Sequence, residues 1–174
     1  LRCKELLQGS GLPTPPYIRL EETTDMSYVS ATLGFPIMVK PTLEGSSIGM
    51  SKVEDKEELI PAWQKAQQCG GTVIAEKWIE GDEYTAAILD GRVLPMIKLK
   101  TSHKFYDYDA KYDAEDTQYI CPCGLPDDRE SVLAELSKKA FDAVNASAWG
   151  RVDFIVDEEN QPWLIEVNTV PGMT

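Results

Sequence analysis

Histidine occurs once in these 174 residues, at His103, and that scarcity removes whole classes of chemistry. A His-rich metal site or a Ser-His-Asp triad would rest on one residue flanked by Ser102 and Lys104, a polar setting that suits a surface loop better. Cysteine is sparse too. Cys3, Cys69, Cys121 and Cys123 form neither a paired zinc knuckle nor a Cys-x-x-Cys, so they read as reduced thiols of a cytoplasmic protein. No apolar run approaches the roughly 20 residues needed to cross a bilayer, so no membrane partner is expected. Positive charge is short, with 17 Lys and Arg against 29 Asp and Glu and a net charge of -12, which makes nucleic acid a poor partner. The remaining composition, 43% hydrophobic and 26% charged, is that of a soluble globular chain forming one compact domain or two small ones. A polyanionic small molecule stays compatible with it, given a bound cation and a few placed Lys or Arg to reverse the local field.

The most informative stretch is Arg151-Val152-Asp153-Phe154-Ile155-Val156 read beside Trp163-Leu164-Ile165-Glu166-Val167-Asn168. Residues two apart in a strand share a face. Alternation sends Val152, Phe154 and Val156 one way with Trp163, Ile165 and Val167, and gathers Arg151, Asp153, Glu166 and Asn168 on the opposite face. The turn-prone residues 157–162 join the strands as an antiparallel hairpin; pairing Val156 with Trp163 sets Asp153 opposite Glu166. Hard oxygen ligands beside a guanidinium suit Mg2+ and phosphate, while a solvated acidic face is the alternative.

Elsewhere, residues 1–8 read as the end of a helix stopped by Gly9 and Gly11, with Pro13, Pro15 and Pro16 as connector. Asp25 can cap a short helix carrying Met26, Val29 and Leu33 and ending at Gly34. Strands follow at 36–40 and through Met50 and Val53, then a helix over about 55–68 and a strand over 72–79. Residues 83–89 pair with 92–99 through Asp90-Gly91, a strong hairpin signal. The polar and aromatic stretch 101–126 is too long for an ordinary connection and is expected to be a functional lid. A helix over 131–144 places Leu133, Leu136, Ala140 and Val144 on one side. This order predicts two small α+β lobes, 1–79 and 80–174, with a cleft between them.

Three more segments could carry chemistry. Lys40 ends a strand and is followed by Glu44-Gly45-Ser46-Ser47-Ile48-Gly49, a loop that could offer backbone N-H groups to an oxyanion or could simply be a tight hairpin. It is not a Walker A loop, because Met50 follows Gly49 where that motif needs Lys. Glu76-Lys77-Trp78-Ile79, followed by Glu83, reads either as an edge for a flat heterocycle or as a plain strand with Trp78 in the core. Phe105-Tyr106-Asp107-Tyr108-Asp109-Ala110-Lys111-Tyr112 could pack down over a ligand with Lys111 on a phosphate, or decorate a solvated loop.

Taken in order, Lys40, residues 44–50, Glu76-Lys77-Trp78, residues 105–112, Gly150-Arg151-Val152-Asp153 and Glu166-Val167-Asn168-Thr169-Val170-Pro171-Gly172-Met173-Thr174 resemble the D-alanine:D-alanine ligases of the ATP-grasp superfamily over essentially the whole chain. The resemblance implies an α+β ATP-grasp fold with ATP held between the lobes. It places Lys40, Ser47 and Lys111 on the phosphates, Glu76, Lys77, Trp78, Ile79 and Ile165 around the adenine, Glu83 on the ribose, and Phe105 among the nucleotide-binding residues. Asp153, Glu166 and Asn168 would hold two Mg2+ ions, with Mn2+ a possible substitute. Arg151 and the Gly172 N-H would stabilise an oxyanion, and Ser46 and Tyr112 would link the Gly/Ser loop to the lid, with Tyr112 favouring a dipeptide product. The implied activity joins two D-alanines, both substrates of the enzyme, through an acyl phosphate for peptidoglycan precursor synthesis in the cytoplasm. The family's alternation problem is Ile165, which needs a bulge or strong twist to face the same ligand as Glu166. Opening at Leu1 and closing at Thr174, the chain is expected to lack the family's amino-terminal domain and carboxy-terminal tail, to bind ATP without ligase activity, and to come from a homodimer. Another ATP-grasp ligase and a noncatalytic nucleotide-binding module are the competing readings.

Overall fold

The computed structural model describes residues 1–45, 47–100 and 118–171. In chain order the elements are α1 (Arg2–Gly9), β1 (Tyr17–Leu20), α2 (Met26–Leu33), β2 (Ile37–Pro41), β3 (Ser51–Val53), α3 (Leu59–Gln67) and β4 (Val73–Lys77). These are followed by β5 (Gly81–Leu89), β6 (Arg92–Val93), β7 (Ile97–Lys100), β8 (Gln118–Ile120), α4 (Asp127–Ala143), β9 (Trp149–Asp157) and β10 (Pro162–Asn168). Two compact units emerge, one of Pro15–Trp78 and one that joins Arg2–Thr14 to residues 79–100 and 118–171. Among the described residues, no helix is long and apolar enough to cross a membrane.

The first unit is a four-stranded antiparallel sheet in the order β1-β4-β2-β3. One face is apolar. Leu20, Ile37, Val39, Val53, Val73 and Ala75 pack there against Val29 and Leu33 of α2 and Leu59, Ala62 and Ala66 of α3. The Asp25 carboxylate accepts from the Ser27 N-H at 2.8 Å and so caps α2, which Gly34 ends at φ 68°. Helix α3 starts later than periodicity suggests. The Glu58 N-H donates to Asp55 at 3.2 Å and the Glu54 N-H to the Glu58 carboxylate at 2.8 Å, which spends 55–58 on a turn.

The second unit is a six-stranded antiparallel sheet in the order β10-β9-β5-β7-β8, with β6 also on β5. Tyr84, Ala86, Ile88, Val152, Phe154 and Leu164 line the face covered by Leu133, Ala140 and Phe141 of α4 and Leu7 of α1. Asp90 and Gly91 both take positive φ, 46° and 76°, the primed turn that matches strand twist. The expected partner strand 92–99 is broken in two around Pro95, which has no N-H for the ladder. Residues 118–120 of the expected lid instead form β8 against β7. Helix α4 begins a turn earlier than 131, where Asp127, Asp128 and Glu130 favour a helix N-terminus.

The closing hairpin departs from simple alternation in one place. Val156 pairs with Pro162 rather than Trp163, and Leu164 with Phe154, but the register then shifts so that Glu166 faces Asp153 and Asn168 faces Arg151. Ile165 is the extra residue of a β-bulge. The core positions of β10 are therefore Leu164, fully buried, and Val167, three apart, not Trp163 and Ile165 as alternation alone sends them. The bulge leaves Ile165 and Glu166 together off the core face.

Phe154 is among the largest fully buried side chains and stacks on Tyr84 at a ring-centroid distance of 5.8 Å. Phe154→Ala is expected to destabilise the chain by about 3–5 kcal/mol in urea unfolding. Tyr28→Ala, at an exposed site, should stay within about 0.5 kcal/mol of the parent.

Candidate functional site

On the open face of the second sheet, register brings together Glu83, Thr85, Arg151, Asp153, Glu166 and Asn168, because Thr85 pairs with Asp153 and Asp153 with Glu166. Asp153 is the centre, with 9% of its surface exposed. Its Oδ1 accepts from Thr85 Oγ1 at 2.6 Å and Arg151 Nε at 2.8 Å. Its Oδ2 accepts from an Arg151 terminal nitrogen at 2.8 Å and Asn168 Nδ2 at 2.9 Å. The same Asn168 nitrogen donates to Glu166 Oε1 at 3.1 Å, so one amide spans both carboxylates. Four of the residues picked out by alternation thus meet in one network. Thr85 was missed; counting two residues on from Glu83 along β5 would have placed it on this face.

The donor set fits Mg2+. An amide nitrogen with partial positive charge already sits between two carboxylate oxygens, and turning that amide over would present a third hard oxygen to the same point. Asp153, Glu166 and Asn168 are the residues that could hold the ion. Among the described residues no three His, Cys, Asp or Glu side chains gather, so an ion here would draw its other ligands from water and phosphate oxygens.

The other face of the first sheet carries Lys40, Met38, Lys52, Glu76 and Ile74, since Met38 lies between Lys52 and Glu76 in register and Lys40 opposite Ile74. Lys40 and Glu76 form an ion pair, with the Glu76 side chain almost wholly buried. Lys52 stands 4.6 Å from the centroid of the Trp78 ring and 3.1 Å from Glu54. Lys52 too was missed, although its place in the cross-strand row marks it. In the segment Glu76-Lys77-Trp78 the Lys77 N-H donates to Pro16 at 2.8 Å and the Trp78 N-H to Pro36 at 3.2 Å, so neither is available to a heterocycle. The Gly/Ser loop turns tightly, with Ile48 N-H donating to Gly45 at 3.1 Å and Met50 N-H to Ser47 at 3.2 Å. Gly49 takes φ 74°, and a Cβ there would lie 2.5 Å from Cys69 Sγ, so only glycine fits. Ser46, Phe105, Lys111, Tyr112 and Gly172 lie outside the described residues, as does His103.

The turn between β9 and β10 is held by Asp157, which accepts from Trp163 Nε1 at 2.8 Å and from the N-H groups of Gln161 at 2.7 Å and Glu159 at 3.0 Å. The Trp163 bond first, then that of Gln161, holds the Asp157 carboxyl below its usual range. Cys3 and Cys123 are shifted upward by burial, which keeps these thiols protonated. All four cysteines are free.

A family model described as the D-ala D-ala ligase C-terminus matches residues 6–174. A D-alanine–D-alanine ligase from Methylococcus capsulatus is 55% identical over 174 residues, covering 100% of this chain and 56% of that protein. The crystal structure of D-alanine–D-alanine ligase from Bacillus anthracis superposes with a TM-score of 0.85 at 37% identity, covering 99% of this chain and 56% of the other. The complex of that ligase with ATP gives 0.81 at 32% identity, over 99% and 54%. This chain spans little more than half the length of these relatives.

The folded state lowers the Asp157 pKa, so its contribution to stability is complete above the ordinary carboxylate value of about 3.9 and is lost as pH falls through the lower folded value. Asp157→Asn keeps an acceptor for Trp163 but cannot titrate. Urea midpoints compared at about pH 6 and about pH 3 should show a smaller acid-induced drop for Asp157→Asn than for the parent.

Proposed function

This chain belongs to the D-alanine–D-alanine ligase family and has its α+β ATP-grasp fold, and on that premise we propose that it is the ATP-binding part of a cytoplasmic ligase that joins two D-alanines for peptidoglycan precursors. The observation that carries this reading is the network in which Thr85, Arg151, Asn168 and Glu166 surround the Asp153 carboxylate. A noncatalytic nucleotide binder has no need of a bidentate arginine inside a set of hard oxygen ligands. The family name and the ATP complex of the Bacillus anthracis relative support ATP as the nucleotide.

On this reading Lys40 and Ser47 bind phosphate oxygens, and the segment Glu76-Lys77-Trp78-Ile79 with Ile165 borders the adenine. With the Lys77 and Trp78 N-H groups already bonded, these two residues contribute through carbonyls and side chains. Glu83 takes the ribose hydroxyls; Phe105 and Lys111 complete the nucleotide site. Asp153, Glu166 and Asn168 hold Mg2+, which when bound neutralises charge on the transferring phosphoryl group. The carboxylate of the first D-alanine takes the γ-phosphoryl group of ATP and releases ADP. The amine of the second then attacks the acyl carbon and expels phosphate. Arg151, its guanidinium held by two bonds to Asp153, stabilises the oxyanion of that second step on this reading, together with the Gly172 N-H. Ser46 and Tyr112 connect loop and lid over the acceptor. The whole protein acts as a homodimer.

Two measurements test this. Titration calorimetry of residues 1–174 should show ATP binding that strengthens with Mg2+ and is weakened by Lys40→Ala, while the same chain forms no D-alanyl-D-alanine. In the ligase containing this chain, Arg151→Ala should lower kcat by about 10²–10³ with ATP binding retained. Dipeptide synthesis by residues 1–174 would sink the first expectation, and unchanged turnover would sink the role of Arg151.

A further inference from the structure

Strand β10 lies at the edge of its sheet, so the outward N-H and C=O groups of the bulged segment have no strand to pair with. The amino-terminal segment meets them instead. The Leu164 N-H donates to the Pro13 carbonyl at 2.8 Å, and the Leu164 carbonyl accepts from Thr14 Oγ1 at 2.9 Å. Leu164 is therefore pinned from outside through both its N-H and its carbonyl, and Ile165 and Glu166 follow it directly.

Behind this brace stands a buried charge. Lys4 exposes only 4% of its surface, and its Nζ donates to Thr14 Oγ1 at 2.7 Å. An ammonium group can only donate. With Lys4 on its lone pair, the Thr14 hydroxyl must direct its own proton elsewhere, and the partner in line is the Leu164 carbonyl. The lysine thus fixes the direction of the chain Lys4 to Thr14 to Leu164, one residue before the bulge.

We propose that Lys4 and Thr14 are positioning residues that lock the bulge of β10 and so set the Glu166 carboxylate in its place beside Asn168 and Asp153. The proposal rests on the reading of Glu166 as a metal ligand and adds what holds it there. Partners one step removed from a metal ligand typically contribute about 10- to 100-fold in metal affinity.

The test uses the 174-residue chain with Mn2+ as spectroscopic stand-in, its binding in the presence of ATP followed by electron paramagnetic resonance. Thr14→Val and Lys4→Met should each weaken Mn2+ in the ATP complex by about tenfold. Thr14→Ser, which keeps the hydroxyl, should restore it, and ATP affinity without divalent ions should change less than about twofold. Amide hydrogen exchange at residues 165–167 should speed up in Thr14→Val and not in Thr14→Ser. If Glu166→Gln loses Mn2+ while Thr14→Val binds it like the parent, the positioning role is overturned and the metal reading stands. If Glu166→Gln binds Mn2+ like the parent, or the parent binds none, the metal reading falls and the proposal with it. Exchange at 165–167 unaltered in Thr14→Val would overturn the brace whatever the metal does, even where Lys4→Met fails to fold.

Discussion

One extra residue in β10, Ile165, decides whether Glu166 and Asn168 join the polar side chains of β5 and β9 on one face of the second sheet. The hairpin leaves its turn with Val156 opposite Pro162 and would continue so to Asn168. In that register Asp153 would face Ile165, and the carboxylate pair would be split. The bulge consumes one residue, keeps Leu164 and Val167 in the core, and delivers Glu166 opposite Asp153. The core could not tolerate the alternative. Leu164 would keep its place opposite Phe154, but Glu166 would fall opposite Val152 on the core face and Val167 would turn out, burying a carboxylate in place of an apolar side chain.

The two sheets share a way of placing charge. On each, a basic side chain is held by a neighbouring carboxylate: Lys40 by Glu76 on the first sheet, Arg151 by Asp153 on the second. Burial of an ion pair costs several kcal/mol per ion in lost hydration, and mutual attraction recovers it only when other lone pairs are satisfied. Asp153 meets that condition, since its two oxygens accept four donors. Such a pair is a weak source of stability and a strong source of geometry. The guanidinium plane cannot turn without breaking two bonds at once.

Much of this was legible in the sequence, and most of the misses have one cause. Alternation and turn chemistry are local, so the Asp90-Gly91 hairpin, the Asp25 cap and the pairing of Asp153 with Glu166 could be read directly. That last expectation was right for the wrong register, because the shift at the turn and the bulge cancel. The face of Trp163 was misjudged for the same reason: its indole bonds to Asp157, and Leu164 takes the core position. Thr85 lies two residues beyond Glu83 on the same strand and was within reach of alternation, whereas Lys52 depends on which strands lie side by side, and no periodicity within one strand contains that. Strand β8 forms only by pairing with β7, so its three residues looked like loop.

The charge balance bears on how such a chain could hold a polyanion. At -12 its mean field repels ATP. Among the described residues, Lys40, Lys52 and Arg151 each stand against a carboxylate, which leaves their surroundings close to neutral. Adding more lysines would be one solution, but it would leave an uncompensated positive face on every molecule without nucleotide. A divalent ion solves the problem differently. It arrives with the phosphates, lowers their charge before they meet the protein, and exchanges repulsion from Asp153 and Glu166 for coordination by them. On the proposed reading the acidic residues of the second sheet are therefore what makes a strongly acidic chain able to bind ATP, and metal dependence follows from electrostatics before any chemistry begins.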